Sequence, residues 1–142
     1  MLIADVLRTK GSFVATVTPD STVADVLGQL AEHRVGALVV STDGTHIDGI
    51  VSERDVVRHL YRVGARLLDE PTRTIMTTEV RTCSPTDKVD DLMVVMTEHR
   101  IRHVPVVVDR ALVGIVSIGD VVKSRIGDLE GERNDLVAYI TR

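Results

Sequence analysis

Hydrophobic residues recur at helical spacing in two stretches of the chain. Each stretch has apolar residues at i, i+3, i+4 and i+7, which is the pattern of one buried helix face. The first set is Val23, Val26, Leu27 and Leu30, and the second is Val89, Leu92, Met93 and Met96. Each set predicts an amphipathic helix that packs on one side.

Short runs rich in β-branched residues surround each of these helices and predict strands. One strand precedes each helix and ends where proline and small polar residues follow, at 18–20 and at 84–86. The predicted strands are residues 13–17, 37–41 and 47–52 in the first half and residues 80–83, 103–108 and 112–117 in the second half. A second helix is predicted to begin at Ser52 in the first half and at Ser117 in the second. The order of elements is therefore β-α-β-β-α, twice.

The two halves also repeat one another residue by residue. Residues 17–58 align with residues 83–123 with a single one-residue gap. Matching segments are Glu32-His33-Arg34 with Glu98-His99-Arg100, and Gly49-Ile50-Val51-Ser52 with Gly114-Ile115-Val116-Ser117. One copy has too few residues to cover both faces of its sheet. We therefore expect an α/β (α+β) fold in which tandem β-α-β-β-α repeats pack with pseudo-two-fold symmetry.

This repeat predicts three parts of the chain. Residues 1–64 form the first domain with an N-terminal lead-in helix, and residues 65–126 form the second domain with its connector. Residues 127–142 are predicted to form a C-terminal helical tail, docked on a partner subunit.

Composition excludes several classes of function. No apolar run in the 142 residues approaches the roughly 18 residues that span a bilayer. The N-terminal segment carries an acid at Asp5 and has no small-residue cleavage site, so it does not resemble a signal peptide. A net charge of −4 disfavours nucleic-acid binding, which needs a basic face. Cys83 is the only cysteine, which is typical of a reducing compartment, so we expect a cytoplasmic protein. We expect no bound metal.

Candidate chemistry lies where each second helix begins. Ser52 and Asp55 occupy these positions in the first copy, and Ser117 and Asp120 in the second. One interpretation is structural, because serine followed three residues later by an acid caps a helix N-terminus. The other is functional, because such a carboxylate can accept hydrogen bonds from a ribose diol while the helix N-terminus binds phosphate. The two roles are compatible.

Two β-α-β-β-α copies that each end in Gly-Ile-Val-Ser-x-x-Asp-Val-Val or its close equivalent resemble the cystathionine β-synthase (CBS) domain. The tandem resembles a CBS pair, or Bateman module, here as a stand-alone protein, and the resemblance covers about residues 2–126. It implies a non-catalytic regulatory module that binds AMP, ADP or ATP in clefts between the copies, with S-adenosylmethionine or NAD as less favoured ligands. It also implies a homodimer that forms a disc of four CBS domains, with no required cofactor and no nucleic-acid or membrane partner.

The same resemblance implies roles for individual residues. Asp55 and Asp120 match the ribose-binding acid, and Ser52 and Ser117 match a residue that contacts phosphate or ribose. Thr18 and Ser84 precede the proline after the first strand and are expected near the nucleotide, although turn formation alone explains their residue type.

Basic residues differ between the two copies. Arg102 and His103 stand where the first copy has Gly36-Ala37, and Arg54 stands where the second copy has Gly119. We expect these bases to reach phosphate groups, although a solvated strand end also accounts for the first pair. The difference predicts two unequal clefts.

Two other functions remain open from the sequence. The chain can be a constitutive homodimerisation scaffold without physiological nucleotide binding, which loss of the serine and aspartate pairs would have favoured. An enzyme is disfavoured because no nucleophile, base and orienting group recur in a recognisable arrangement. We therefore favour a ligand sensor that modulates a protein partner or its own assembly.

Overall fold

The structure is a computed structural model that describes residues 1–141. It has five α-helices and five strands in the described residues. In chain order they are α1 (Ile3–Lys10), β1 (Thr16–Val17), α2 (Val23–His33), β2 (Ala37–Val40), β3 (Gly49–Ser52), α3 (Glu53–Val63), α4 (Val89–His99), β4 (His103–Val108), β5 (Ala111–Ser117) and α5 (Ile118–Thr141). Two short 3₁₀ helices, Gly64–Asp69 and Thr72–Thr74, connect α3 to the second repeat. None of the helices in residues 1–141 is long and apolar enough to cross a membrane.

Each repeat forms its own small sheet. In the first repeat β1 pairs in parallel with β2, and β2 pairs antiparallel with β3. In the second repeat β4 and β5 pair antiparallel, with His103 opposite Ser117. The predicted α+β fold with tandem repeats is confirmed.

The strand predicted at residues 80–83 is wrong, because only Cys83 forms a bridge, to Val106 of β4. In the first repeat the N–H of Val39 donates to the carbonyl of Ala15 and extends the parallel ladder. The residue equivalent to Val39 in the second repeat is Pro105, which has no N–H to donate. The ladder therefore stops after one residue.

The segments that lead into the repeats are exchanged between them. The N–H of Ile3 donates to the carbonyl of Asp87, 2.9 Å away, and the N–H of Val89 donates to Met1, so that α1 lies against the second repeat. The equivalent connector segment lies against the first repeat, where the N–H of Thr72 donates to the carbonyl of Ser21 at 2.8 Å and that of Val23 to Glu70. The two sets of bonds are related by the pseudo-two-fold axis.

The two hydrophobic cores follow this exchange. Ile3 and Val6 of α1 belong to the core of the second repeat, and Leu67 and Ile75 of the connector belong to the core of the first. The domain boundaries proposed at residues 64 and 126 follow chain order, whereas each core takes part of its lining from the other side of the boundary.

The last helix is longer than the sequence pattern indicates. The predicted second helix of the second repeat and the predicted tail are one continuous helix, α5, of 24 residues. Gly127 and Gly131 lie within it and do not interrupt it.

Two equivalent glycines mark where the exchanged segments cross the sheets. A Cβ atom at Gly49 would lie 2.8 Å from the carbonyl oxygen of Thr77, which is backbone and fixed. At Gly114 the nearest atom, at 2.7 Å, is Cδ2 of Leu7, which belongs to a side chain that can rotate. A Cβ atom at Gly49 would therefore be harder to accommodate than one at Gly114.

We expect Gly49→Ala to lower the free energy of unfolding by about 1–3 kcal/mol, as in overpacked cores, and Gly114→Ala to lower it less. Urea denaturation, with the midpoint as readout, checks the order of the two variants. Gly28→Ala in α2 is the matched control, since a Cβ there meets no atom within 4 Å, and it should stabilise the protein by up to about 1 kcal/mol. Equal losses at Gly49 and Gly114 would contradict this account of the crossing.

Candidate functional site

A cleft of about 1120 Å³ lies between the two repeats. Both repeats contribute to it, because α3 and α5 begin at its edge and the ends of β2 and β4 lie beside them. Aliphatic side chains of Ile50, Ile101 and Ile118 line part of the cleft. It is the larger of two depressions that carry residues singled out from the sequence.

The cleft brings together six of the nine candidate residues. Its lining includes Ser52, Arg54, Asp55, Arg102, His103 and Ser117. Asp120 is not among the residues that line it, although Gly119 beside it is. Thr18 lines a separate groove of about 470 Å³ along α2, and Ser84 lines neither depression.

The capping interpretation of the serine and aspartate pairs is confirmed. Asp55 Oδ2 accepts the N–H of Ser52 at 2.9 Å and its hydroxyl at 3.1 Å, and Ser52 Oγ accepts the N–H of Asp55 at 3.3 Å. The equivalent distances for Ser117 and Asp120 are 2.8, 2.9 and 3.2 Å. Each carboxylate is thus fixed in the first turn of its helix with Oδ1 outside the capping box. Contact with a ligand stays a prediction.

Lys10 distinguishes the second pair from the first. Its Nζ donates to Asp120 Oδ2 at 2.5 Å and to the carbonyl of Ile115 at 2.8 Å, and both side chains are less than one third exposed. Burial raises the pKa of Asp120, but the Lys10 ammonium and the N–H of Ser117 outweigh it, so that this pKa lies below the usual 3.8. The carboxylate is therefore ionised at neutral pH.

The corresponding strand in the first repeat has a backbone partner. Ile50, the equivalent of Ile115, exchanges two hydrogen bonds of 2.9 Å with Thr77 of the connector. The two ends of the cleft therefore differ, since one strand edge is closed by a peptide group and the other by an ammonium group.

His103 occupies the space beside Gly36 of the first repeat. A Cβ at Gly36 would lie 3.2 Å from Cε1 of His103 and 3.3 Å from Oε1 of Glu53. The imidazole of one repeat thus occupies the space above the equivalent strand of the other. Burial lowers the pKa of His103, Lys10 lowers it further, and Glu53 and Asp120 oppose the shift without reversing it. The ring is neutral at pH 7.

Thr18 and Ser84 both take part in turns. Ser21 Oγ accepts the N–H of Thr18 at 3.2 Å and lies 2.9 Å from its hydroxyl. Asp87 Oδ2 accepts the N–H of Ser84 at 2.8 Å, and Ser84 Oγ lies 3.0 Å from the hydroxyl of Thr86. The turn chemistry proposed as the alternative is therefore present at both positions.

Sequence reasoning missed several charged residues of the cleft. Arg58, Arg81 and Arg100 line it together with the predicted Arg54 and Arg102, and the acids on its lining are Glu53, Asp55 and Glu79. Arg100 belongs to the repeated Glu-His-Arg segment, which does not by itself indicate a ligand site, and Arg81 belongs to no motif. The excess of guanidinium groups makes the cleft suited to an anion.

The described residues contain no group of three or more His, Cys, Asp or Glu side chains placed to hold a metal ion. Cys83 is buried, and burial raises the pKa of its thiol to about 12. Its position matches the small hydrophobic residue expected from its alignment with Val17.

Comparisons with known proteins agree with the repeat. The family model of the CBS domain matches residues 3–62 and 73–127. The chain is 38% identical over 146 residues to the CBS domain-containing protein CBSX3, mitochondrial, of Arabidopsis thaliana, with 97% of this chain and 71% of that protein covered.

Solved structures with the same fold include a CBS-domain containing protein from Agrobacterium tumefaciens, with a TM-score of 0.85, 42% identity and coverage of 88% of this chain and 99% of that chain. A CBS domain protein from Pyrobaculum aerophilum complexed with AMP has a TM-score of 0.75 and 32% identity, and the match covers 84% of this chain and 89% of that one.

The CBS domain pair of protein MJ0100, in complex with 5-methylthioadenosine and S-adenosyl-L-methionine, has a TM-score of 0.80 and 25% identity, with 90% and 98% of the two chains covered. The duplicated unit, the two capped helices at one cleft and the family match over both repeats lead to one conclusion: this chain belongs to the CBS domain family and contains a pair of CBS domains.

Proposed function

We propose that this CBS domain pair binds an adenosyl ligand, AMP, ADP or ATP in the first place, in the cleft between its repeats. A ligand in the cleft would change how the protein associates with a protein partner or with another copy of itself. One observation carries the proposal: α3 and α5 both begin at the same cleft, which five arginine residues line. Each helix has in its first turn an aspartate that takes part in its capping box.

The chemistry of the cleft suits each part of a nucleotide. A ribose diol can donate to the free Oδ1 of a carboxylate whose Oδ2 is held by a helix N-terminus. Phosphate groups are stabilised by helix N-termini and by guanidinium groups that bind two oxygens at once. The base would pack against the aliphatic side chains of Ile50, Ile101 and Ile118, since no Phe, Tyr or Trp lines the cleft among the described residues.

The two carboxylates differ in how accessible they are. Asp55 lines the cleft, whereas Asp120 is not among its lining residues and is bound by Lys10. We therefore propose Asp55 as the more open ribose contact, and Asp120 as one that a ribose shares with Lys10. The carboxylate–ribose and phosphate contacts stabilise the complex, and the entropy lost when the ligand and side chains become ordered opposes them. The balance gives dissociation constants in the micromolar to millimolar range.

Two relatives support the ligand class. The Pyrobaculum aerophilum protein is complexed with AMP, and the MJ0100 pair with 5-methylthioadenosine and S-adenosyl-L-methionine. Both sets of ligands contain an adenosyl group. We extend this ligand class to the present chain on the basis of its own cleft.

Three further properties belong to the same proposal. We propose that the protein is regulatory and not an enzyme, and that it acts in the cytoplasm, where a single buried thiol stays reduced. We also propose a homodimer that forms a disc of four CBS domains. Support for the homodimer comes from exposed apolar side chains on α3, namely Val57, Leu60 and Tyr61.

Nucleotide binding should stabilise the folded protein. At a ligand concentration about 100 times Kd, linkage adds about 2.7 kcal/mol, which corresponds to a rise in Tm of about 5–10 °C. Differential scanning fluorimetry with AMP, ADP, ATP, S-adenosylmethionine and NAD measures this rise. Asp120→Ala and Asp55→Ala should each remove most of the nucleotide-induced rise.

Asp25→Ala is the control for the loss of a helix cap. Asp25 forms the same capping box with Thr22 at the start of α2 and does not line the cleft. It should lower Tm without ligand and leave the nucleotide-induced rise unchanged. A flat response of the native protein to all five compounds would instead favour the constitutive homodimerisation scaffold.

The Lys10–Asp120 ion pair should give a pH-dependent stability. Because the pKa of Asp120 is lower in the folded protein than its usual 3.8, its contribution is present above about pH 4 and is lost as the pH falls through the folded-state pKa. Lys10→Met should therefore destabilise the protein by about 1–2 kcal/mol at pH 7 and by progressively less below pH 4. Urea denaturation at pH 7, 5 and 3 checks this, with the exposed Lys123→Met as control. A loss for Lys10→Met that does not change with pH would refute the ion pair.

A further inference from the structure

The distal part of α5 has an apolar surface that the rest of the chain does not cover. Val121 is the only buried residue of the helix, and every residue from 131 to 141 is exposed. The helix nevertheless continues for 24 residues. We therefore expect the distal part of α5 to pack against a partner other than the residues of its own chain.

Six positions of α5 form a series with a 3.5-residue period, and the exposed Val137 and Tyr139 lie beside this series. Val122, Ile126, Leu129, Leu136 and Ile140 are 43–71% exposed, and Arg133 occupies the one remaining position of the series. Steps of four and three residues in alternation define the narrow seam of a coiled coil, in which a second helix of the same period packs knobs into holes. We name these six positions the α5 seam.

The exposed segment is poorly suited to remain helical alone. Gly127 and Gly131 are unfavourable in a helix interior, and a Cβ at either position meets no atom within 4 Å, so no close contact requires a glycine there. An isolated helix shorter than about 12–15 residues is marginal in water, and most helices depend on packing of an apolar face.

We propose that the α5 seam is an interaction surface for α5 of a second copy of this chain, with the two helices parallel and in register. This surface is separate from the nucleotide cleft, and the inference does not rest on the proposed function. Val122 and Ile126 of the seam are the equivalents of Val57 and Tyr61 on α3, and the other four positions lie on the part of α5 beyond the second repeat.

The charges beside the seam favour the parallel arrangement. In a parallel pair, Arg125 lies beside Glu130 of the second copy and Arg133 beside Glu132 of the second copy, on both sides of the seam. An antiparallel pair centred on Gly131 would place Glu130 against Glu130 and Glu132 against Glu132. Within one copy, Arg125 lies 4.0 Å from the Asp90 carboxylate at the surface. A surface ion pair this long is weak, so Arg125 remains available to the second copy. In this register Arg133 faces Arg133 of the second copy, and a single polar position of this kind specifies the register at a cost in stability.

The same charges disfavour a lipid surface as the occupant. Between residues 121 and 141 the helix carries three basic and four acidic side chains. Amphipathic helices that lie on anionic membranes have a polar face rich in Lys and Arg. A second α5, with complementary charges at fixed positions, matches this surface better.

Cysteine cross-linking of the full-length protein tests the proposal. Leu136→Cys places a thiol in the seam, where a parallel pair brings the two copies face to face, and Ala138→Cys places one on the opposite side of the same exposed turn. Under mild oxidation we expect the disulfide-linked dimer of the seam variant to form at least about tenfold faster than that of the control. The native Cys83 is buried and does not interfere.

Three outcomes would overturn the inference. Equal cross-linking rates at 136 and 138 would show collision without a seam. Cross-linking of Leu136→Cys only when mixed with Ile126→Cys would show an antiparallel pair. A native protein that is monomeric by light scattering at high concentration would exclude self-association.

A further variant separates this proposal from nucleotide binding. Leu136→Glu should abolish the fast cross-linking of an Ile140→Cys variant in the same seam and leave the nucleotide-induced rise in Tm unchanged, because residue 136 lies on the distal part of the helix and does not line the cleft. Asp120→Ala should have the opposite pattern. Loss of the nucleotide response with an intact cross-link would refute only the proposed function.

Discussion

The architecture depends on one constraint, which is that neither repeat can complete its own core. The β-α-β-β-α unit leaves part of its sheet without a covering layer, and the segment in front of the opposite repeat supplies what is missing. Backbone hydrogen bonds hold both segments in place, Leu2 against Lys88 and Thr22 against Pro71. The position of the cleft follows from this exchange, since the crossing segments bring Lys10 and Thr77 to the strands that lead into α5 and α3.

The two repeats share a fold but present different chemistry to the cleft. A peptide group closes one strand edge and an ammonium group closes the other. His103 fills the space that Gly36 leaves open, so the two equivalent strand ends are complementary in size and not copies of one another. Arginine side chains from both repeats add positive charge to a chain whose net charge is negative. An anion in the cleft would therefore meet a local field opposite in sign to that of the whole protein.

The sequence predicts what local pattern controls. The helices and the capping of α3 and α5 depend on residues within a few positions of one another, and the structure confirms them. The predicted buried face of α2 is wrong at Leu27, which is 39% exposed. The strand at 80–83 fails because its pairing depends on a missing N–H at Pro105, far along the chain. Lys10 is missed for a similar reason, because its partner is 110 residues away. Bringing Arg81 and Arg100 to the cleft likewise requires the packing of two repeats, which no single stretch of sequence encodes.

The exchange of segments across a pseudo-two-fold axis has the geometry of an isologous homodimer of single repeats, in which each subunit lends its leading segment to the other. Joining two such subunits in one chain makes their encounter intramolecular and replaces dilute association by a high effective concentration. It also removes a restriction. In a homodimer every substitution occurs twice, so a lysine on one side implies a lysine on the other. Once the halves are covalently linked, Lys10, Pro105 and Gly36 can each exist in a single copy. Covalent linkage of two repeats therefore permits an asymmetric cleft, which a dimer of identical repeats cannot have.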